Sequence, residues 1–339
     1  MQRTSLLART LSVLCVSAFL CACGGAGPSR SGLPSTGNGV DAARAAPARA
    51  IKDGIYVSSY YVTSVYAFKS DYKQGGNGPA CTLFMGQEDI RDIAADPKGD
   101  LIVPEGASDS VVVYSGPDLC GPTLGAISDP YGQPDDAASL NAATGTIVVA
   151  DFQTPSKKVG NLAICTLKNG CTEMLTGPNI AGYGGGVALA RNGDCWLVSA
   201  GPGSTGARMT YWPGCTGSGE AVTGFRNTSF GSLSIDKQGN LVALDYDGGK
   251  AGQLWVYSGC NPACTLVGGP FALNGYPLFG ALNARGDSFG TMETAWPNGG
   301  TVDIYKYSPT AVTYDYSFNS SYETVTDPEG FAYSPALKQ

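Results

Sequence analysis

The feature that most constrains this chain is a phrase it repeats. "DPKGDLIVPE" at 96–105 reads as a tight turn followed by an apolar strand that ends in an acid. Turn glycines recur along the sequence. Gly54 opens "GIYVSSYY", Gly99 "GDLIVPEG", Gly145 "GTIVVADF", Gly193 "GDCWLVSA", Gly239 "GNLVALDY" and Gly286 "GDSFGTME". The intervals are 45, 46, 48, 46 and 47 residues, and a period in the mid-forties marks a repeat architecture. Glycine suits the last position of turns such as "DPKG" and "DKQG", where a positive φ is commonly required.

Each repeat has room for four strands, written here A to D. In the second they are "DIAAD", "DLIVPE", "DSVVVYS" and "PTLGAI". In the fifth they are "GSLSID", "NLVALD", "QLWVYS" and "CTLVGG", and in the sixth "FGALNA", "DSFGTM", "TVDIYKYS" and "AVTYDYSF". The last of these alternates Val312, Tyr314, Tyr316 and Phe318 with Thr313, Asp315 and Ser317, the period of two of a half-exposed outer strand. No sustained helical period occurs after the first residues. Four antiparallel strands per repeat of this length predict an all-β fold, a β-propeller with four-stranded antiparallel blades. The first repeat starts at strand B and lacks an A. The chain ends in "PEGFAYSPALKQ", which supplies an A strand with no B after it. Five whole repeats and one split repeat predict six blades. The C-terminal strand, about Gly330 to Ser334, joins the N-terminal blade and closes the ring, which removes a free sheet edge.

The phrase of lead-in, D-P-x-G-D/N, L-I-V and acid resembles the NHL-repeat and related six-bladed propellers, many of them exported bacterial proteins. The resemblance covers residues 51–339. It departs at the start of strand C, where the NHL pattern usually carries Arg. Here Ser110, Asn161, Arg208, Gln253 and Thr301 stand nearby instead, so the resemblance implies architecture more than any one family function.

The first 22 residues read as a lipoprotein signal peptide: Arg3 and Arg9, then the short apolar run "LSVLCVSAFLCA". Leu20-Cys21-Ala22-Cys23-Gly24 looks like a lipobox, with Cys23 as the residue that receives lipid. Residues 23–50, rich in Gly, Ala, Ser and Pro, are expected to form a flexible tether to a propeller over 51–339. "LPSTG" at 33–37 matches a sortase pattern in the wrong place and is taken as chance. The expected location is the cell envelope, lipid-anchored and extracytoplasmic, in the periplasm or at the cell surface.

Eight cysteines follow Cys23, an even number that suits disulfides in an exported chain. Cys165 with Cys171 and Cys260 with Cys264 flank C–D turns, where facing residues come close enough to bridge. Cys195 and Cys215 lie at the adjoining ends of strands B and C. Cys81 and Cys120 pair by elimination only.

The chain has no histidine. Ser-His-Asp and Cys-His machinery and His-ligated metals are therefore excluded. A formal net charge of −7 without massed Lys and Arg argues against nucleic acid. "GPGSTG" at 201–206 matches a phosphate-loop spacing but links two strands with no helix after it, so its context fails. What remains are the residues at the ends of the B strands, on the face where B–C and D–A loops meet: Tyr60, Glu105, Asp151, Asp245, Asp247 and Glu293. Asp129, Asp135 and Asp136 are expected to join them from a D–A loop. Such an acidic, Tyr-decorated rim could hold calcium through oxygen ligands, though no cofactor is required. It could equally satisfy its own turns. Tyrosines of the first and last repeats (56, 60, 61, 66, 305, 307, 314, 316, 322) either pack or form an aromatic patch at the closure seam.

These residues point to a non-catalytic binding or scaffolding lipoprotein that takes a protein, peptide or glycan at its loop face. It would be a monomer that touches membrane only through its lipid. The alternative is a His-independent lyase or hydrolase working by carboxylates, with or without calcium. The N-terminal reading gives one prediction. Cys23→Ser is expected to shift the exported protein from the detergent phase to the aqueous phase and abolish incorporation of labelled fatty acid. Unchanged partition would remove the anchor.

Overall fold

The structure, a computed structural model of the chain, describes residues 54–336 and 338. Excepted are 60–62, 73–77, 86–88, 117, 119, 156–158, 181, 202–205, 230, 247–250, 294–299 and 320–327. At Glu293, Asn319 and Pro328 it describes the backbone alone. The signal segment, Cys23 and the tether lie outside the described residues.

Among the described residues, 24 strands form six antiparallel sheets of four. Blade one holds β1 (Gly54–Ser59), β2 (Ser64–Lys69) and β3 (Cys81–Phe84). Blade two holds β4 (Ala94–Ala95), β5 (Leu101–Glu105), β6 (Ser110–Tyr114) and β7 (Thr123–Ser128). Blade three holds β8 (Pro134–Ser139), β9 (Ile147–Asp151), β10 (Asn161–Thr166) and β11 (Gly170–Leu175). Blade four holds β12 (Tyr183–Leu189), β13 (Cys195–Ala200), β14 (Arg208–Trp212) and β15 (Glu220–Ala221). Blade five holds β16 (Leu233–Ile235), β17 (Leu241–Asp245), β18 (Gln253–Ser258) and β19 (Thr265–Ala272). Blade six holds β20 (Pro277–Leu282), β21 (Ser288–Glu293), β22 (Thr301–Ser308) and β23 (Ala311–Asn319). The last strand, β24 (Pro328–Ser334), pairs antiparallel with β1 and completes blade one, with Ile55 opposite Tyr333 and Val57 opposite Phe331. The chain is a six-bladed β-propeller closed by its own C-terminal strand.

The core lies between blades rather than inside any one of them. Side chains alternate across a strand, so a sheet sandwiched between two others must be apolar on both faces. In β9, Ile147 and Val149 pack with Ile102, Val111 and Val113 of blade two. Val148 and Ala150 of the same strand pack with Val187, Leu197 and Trp212 of blade four. The same division recurs at the other four blade junctions. This is why B strands such as "LIVPE" and "IVVAD" read as continuous apolar runs ending in one polar residue. At the closure junction Ile55, Val57, Phe68 and Phe331 of blade one meet Met292, Val302, Ile304 and Phe318 of blade six.

The A–B turns of blades two and five follow one design. In blade two the Asp96 carboxylate accepts from Lys98 N (2.7 Å) and Asp100 N (3.0 Å), and Gly99 takes φ 96°. In blade five Asp236 accepts from Gln238 N and Asn240 N, both at 2.9 Å. The second oxygen of each reaches a neighbouring blade. Asp96 Oδ2 accepts from Ala142 N (2.8 Å) and Asp236 Oδ2 from Tyr307 Oη (3.0 Å). The repeated Asp therefore builds the turn and pins the ring.

Among the described residues four disulfides are present, pairing Cys81–Cys120, Cys165–Cys171, Cys195–Cys215 and Cys260–Cys264. Three lie within a blade, and Cys81–Cys120 joins blade one to blade two. Four such bonds are the mark of an extracytoplasmic chain. No helix among the described residues is long and apolar enough to cross a membrane. The tyrosines of the seam mostly pack: Tyr56, Tyr66, Tyr305 and Tyr307 are buried, while Tyr314 is exposed. Tyr60, Tyr61 and Tyr322 lie outside the described residues.

Phe331 tests the closure. It is buried against blade six and sits in the one strand contributed by the far end of the chain. Phe331→Ala should cost about 3–5 kcal/mol by lost burial and cavity formation, read as a lower midpoint in chemical unfolding. A cost under about 1 kcal/mol, as for an ordinary surface change, would mean that the strand is dispensable.

Candidate functional site

The residues at the ends of the B strands separate by what they touch. Glu105 ends β5 and is buried, and its Oε2 accepts from Ser108 Oγ and Ser110 Oγ, both at 3.0 Å. Burial raises its pKa and the two hydroxyls pull it back. Asp245 ends β17 and accepts from Thr228 N, Thr228 Oγ1 and Ser229 N at 2.8–3.2 Å. Both acids serve their own blade's loops. Tyr60 and Asp247 lie outside the described residues, as does the Glu293 side chain.

Asp151 differs. It ends β9, is wholly buried, and neither carboxylate oxygen accepts a well-formed hydrogen bond, the Asn161 side chain alone coming within reach as a donor. Asp129, which leaves β7 of the neighbouring blade, comes within hydrogen-bonding reach of it. Burial pushes Asp129 up to about 6 and Asp151 well above the usual range, each worsened by negative neighbours that include Asp109.

Asp135 and Asp136 do not stand on a rim. They belong to β8, which starts at Pro134 opposite Asp151, and both are buried. The innermost strand runs up to the loop face and takes these acids into the ring. Arg91 answers part of the charge. Its Nε lies 3.0 Å from Asp89 Oδ1 and its Nη1 3.3 Å from Asp135 Oδ1. Even so, burial holds Asp135 up to about 7. The Arg91 guanidinium also lies over the Phe152 ring at 4.0 Å, and Phe152 stacks on Tyr183 with centroids 4.2 Å apart and planes 2° apart. Beside this column Gln153 Nε2 donates to Gln133 Oε1 (2.7 Å). Tyr183 opens β12, Phe152 directly follows β9 and Arg91 stands three residues before β4.

The central channel is lined by the A strands of all six blades and encloses 110 Å³. At its loop-face end the carboxyls of Asp92 and Asp136 are within hydrogen-bonding reach. Asp92 Oδ1 accepts from Ile93 N (2.8 Å) and, at 3.4 Å, from Phe331 N of blade one. Asp136 accepts from Ala137 N (2.6 Å) and from Val187 N of blade four (2.8 Å). Burial is the first cause of the raised pKa of each, and of the value of about 8 at Asp136. Two like charges in a dry site cannot both ionise, so the pair keeps a proton. On the opposite face, a 440 Å³ hollow between blades four and five is lined by Trp196, Tyr257, Arg191 and Lys237 among others.

Sequence reading missed Arg91, Asp92, Phe152 and Tyr183 as members of this site. Asp92 had a signal, since a carboxylate opening an inner strand ("DIAA") has no apolar reason to be there. The Phe152–Tyr183 contact had none, because it crosses between blades.

No family model matches the chain, and no curated protein does. Solved structures do. The structure of a nidogen/laminin complex matches with TM-score 0.57 at 12% identity, covering 84% of this chain and 100% of that one. TolB from Acinetobacter baumannii matches at 0.55 and 11%, covering 84% of this chain and 66% of that one. A chain of the mitotic checkpoint complex matches at 0.52 and 11%, over 80% and 75%. The likeness is one of fold. At these identities it carries no activity across.

The Asp92–Asp136 pair makes stability depend on pH in a fixed direction. Both acids bind a proton more tightly folded than unfolded. Stability is therefore full below the ordinary carboxylate range near pH 4 and declines as pH rises toward about 8. Asp92→Asn keeps an oxygen for Ile93 N and offers Asp136 an amide donor. The variant should show a flatter profile of urea midpoints from pH 5 to pH 9 than the unmodified protein. Parallel profiles would show that the pair does not titrate.

Proposed function

We propose that this protein is a cell-envelope binding lipoprotein, an NHL-like propeller tethered through Cys23 that holds a partner protein on the B–C and D–A loop face of blades two to four. The observation that carries the reading is the Arg91–Phe152–Tyr183 column. Arginine and aromatic side chains dominate the energetic centres of protein interfaces, because they offer large contact area with few degrees of freedom. Here the column is ordered in advance by Asp89 and Asp135, which lowers the entropy cost of binding. Two of the matched folds, in the nidogen/laminin and mitotic checkpoint structures, come from protein complexes. Catalysis by the central carboxyl pair gains no support, since 110 Å³ is far below the roughly 300 Å³ of a small-molecule site.

The test is site-directed photo-crosslinking in intact cells. A crosslinker at Gln133, beside the column, is expected to trap a discrete envelope protein, and Phe152→Ala should weaken that adduct at least about tenfold. A crosslinker at Lys237 on the opposite face should not trap it. Equal trapping from both faces, or an adduct indifferent to Phe152, would refute the assignment of the face.

A further inference from the structure

Asp129 and Asp151 pose a problem that the partner-binding face does not solve. Asp129 is 1% exposed and Asp151 0%. Asp129 Oδ1 accepts from Tyr131 N (2.9 Å), but Asp129 Oδ2 and both oxygens of Asp151 have no well-formed hydrogen bond, with only the Asn161 side chain within reach of Asp151 as a donor. Among the described residues no Lys or Arg pairs with either acid. Burying unpaired carboxylate is strongly unfavourable, so something must answer these oxygens.

A second, neutral side chain points the same way. Asn161 opens β10 directly across from Asp151 in the strand register, and it too is wholly buried. Its Nδ2 donates to Tyr131 O (3.2 Å), which fixes the amide, and its Oδ1 is left without a partner. Cross-strand neighbours have Cβ atoms about 5 Å apart, so this oxygen belongs to the same small space. The wall of that space is close. A Cβ at Gly132 would lie 2.6 Å from Asp151 Cγ and 2.7 Å from its Oδ2, and one at Gly184 would lie 2.2 Å from Asp151 O. Tyr131 braces both sides, through its N–H to Asp129 and its carbonyl to Asn161.

Carboxylate and amide oxygens, with no thiolate and no imidazole, are the donor set of a hard cation. Calcium accepts six to eight oxygens in flexible geometry and takes the remainder from water, whereas magnesium demands a regular octahedron. Asp109 adds negative charge next to the pair and is exposed. A single proton shared by Asp129 and Asp151 would leave Asn161 Oδ1 without a donor. A cation answers all four oxygens at once.

We propose that Asp129, Asp151 and the side-chain oxygen of Asn161 hold a calcium ion between blades two and three. The ion joins two blades that share no backbone ladder at this point and stiffens the face next to the Phe152 column. The site stands apart from the partner-binding reading, and calcium binding without a crosslinked partner, or the reverse, separates the two.

The test uses purified full-length protein freed of metal with a chelator. Calorimetric titration should give one calcium per chain at this site, and excess calcium should raise Tm by several degrees, reversed by EGTA, with magnesium much weaker. Asp151→Asn and Asn161→Leu should each weaken calcium binding at least about tenfold, while Glu105→Gln, whose acid serves its own loop, should bind as the unmodified protein does. Asn161→Asp, which adds charge among the same donors, should tighten binding and guards against a variant that merely misfolds. No calcium heat together with a Tm indifferent to calcium and EGTA overturns the proposal. So does calcium binding that Asp151→Asn and Asn161→Leu leave intact.

Discussion

Blades of a propeller do not share a backbone ladder with their neighbours, so the ring is only as sound as its closure. Here the closure is one strand. β24 arrives from the far end of the chain and pairs with β1, which turns an open stack of sheets into a ring and gives β1 its inner partner. Every other junction depends on it, because each apolar layer is shared by two blades and an open ring would expose two of those layers to water. The Cys81–Cys120 bond reinforces the next junction along.

Between blades, side chains take over the work of a ladder. Asp96, Asp136 and Asp236 each spend one oxygen on their own blade and the other on a neighbour. Ser232 turns wholly to a neighbour, donating to the Gly280 carbonyl (2.7 Å) and accepting from the Gly280 N–H (2.8 Å). Buried acids near the axis are thus first of all structural fasteners. Where the pattern breaks, at Asp129 and Asp151, oxygens are left without a well-formed hydrogen bond, and that break is what singles the position out.

Much of the fold was legible in the chain. The turn glycines, the Asp that heads the A–B turns of blades two and five, and the split first repeat follow from local geometry, which sequence writes directly. The hairpin disulfides were legible for the same reason, since four or six residues of separation leave little choice. Cys81–Cys120 joins different blades, and elimination alone led to it. The site was less legible. Glu105, Asp151 and Asp245 occupy the same place in the repeat, yet two of them are satisfied by hydroxyls and amides of their own blades and one is not. That difference rests on Ser108, Ser110, Thr228 and Ser229, which no spacing rule ranks above other loop residues. Asp135 and Asp136 read as loop acids because their apolar neighbours begin only at Ala137, and a strand that opens with Pro-Asp-Asp gives no periodic signal.

By itself, the sequence determined the number of blades, the strand order within each and the strand that closes the ring. Period, turn chemistry and alternation are properties of neighbours along the chain, and they suffice for those features. Tertiary structure alone decided which acids meet. Asp92 with Asp136, Asp129 with Asp151, and Arg91 with Phe152 and Tyr183 are contacts between blades. Their distances follow from how twisted sheets pack around an axis, and nothing local in the chain encodes that angle.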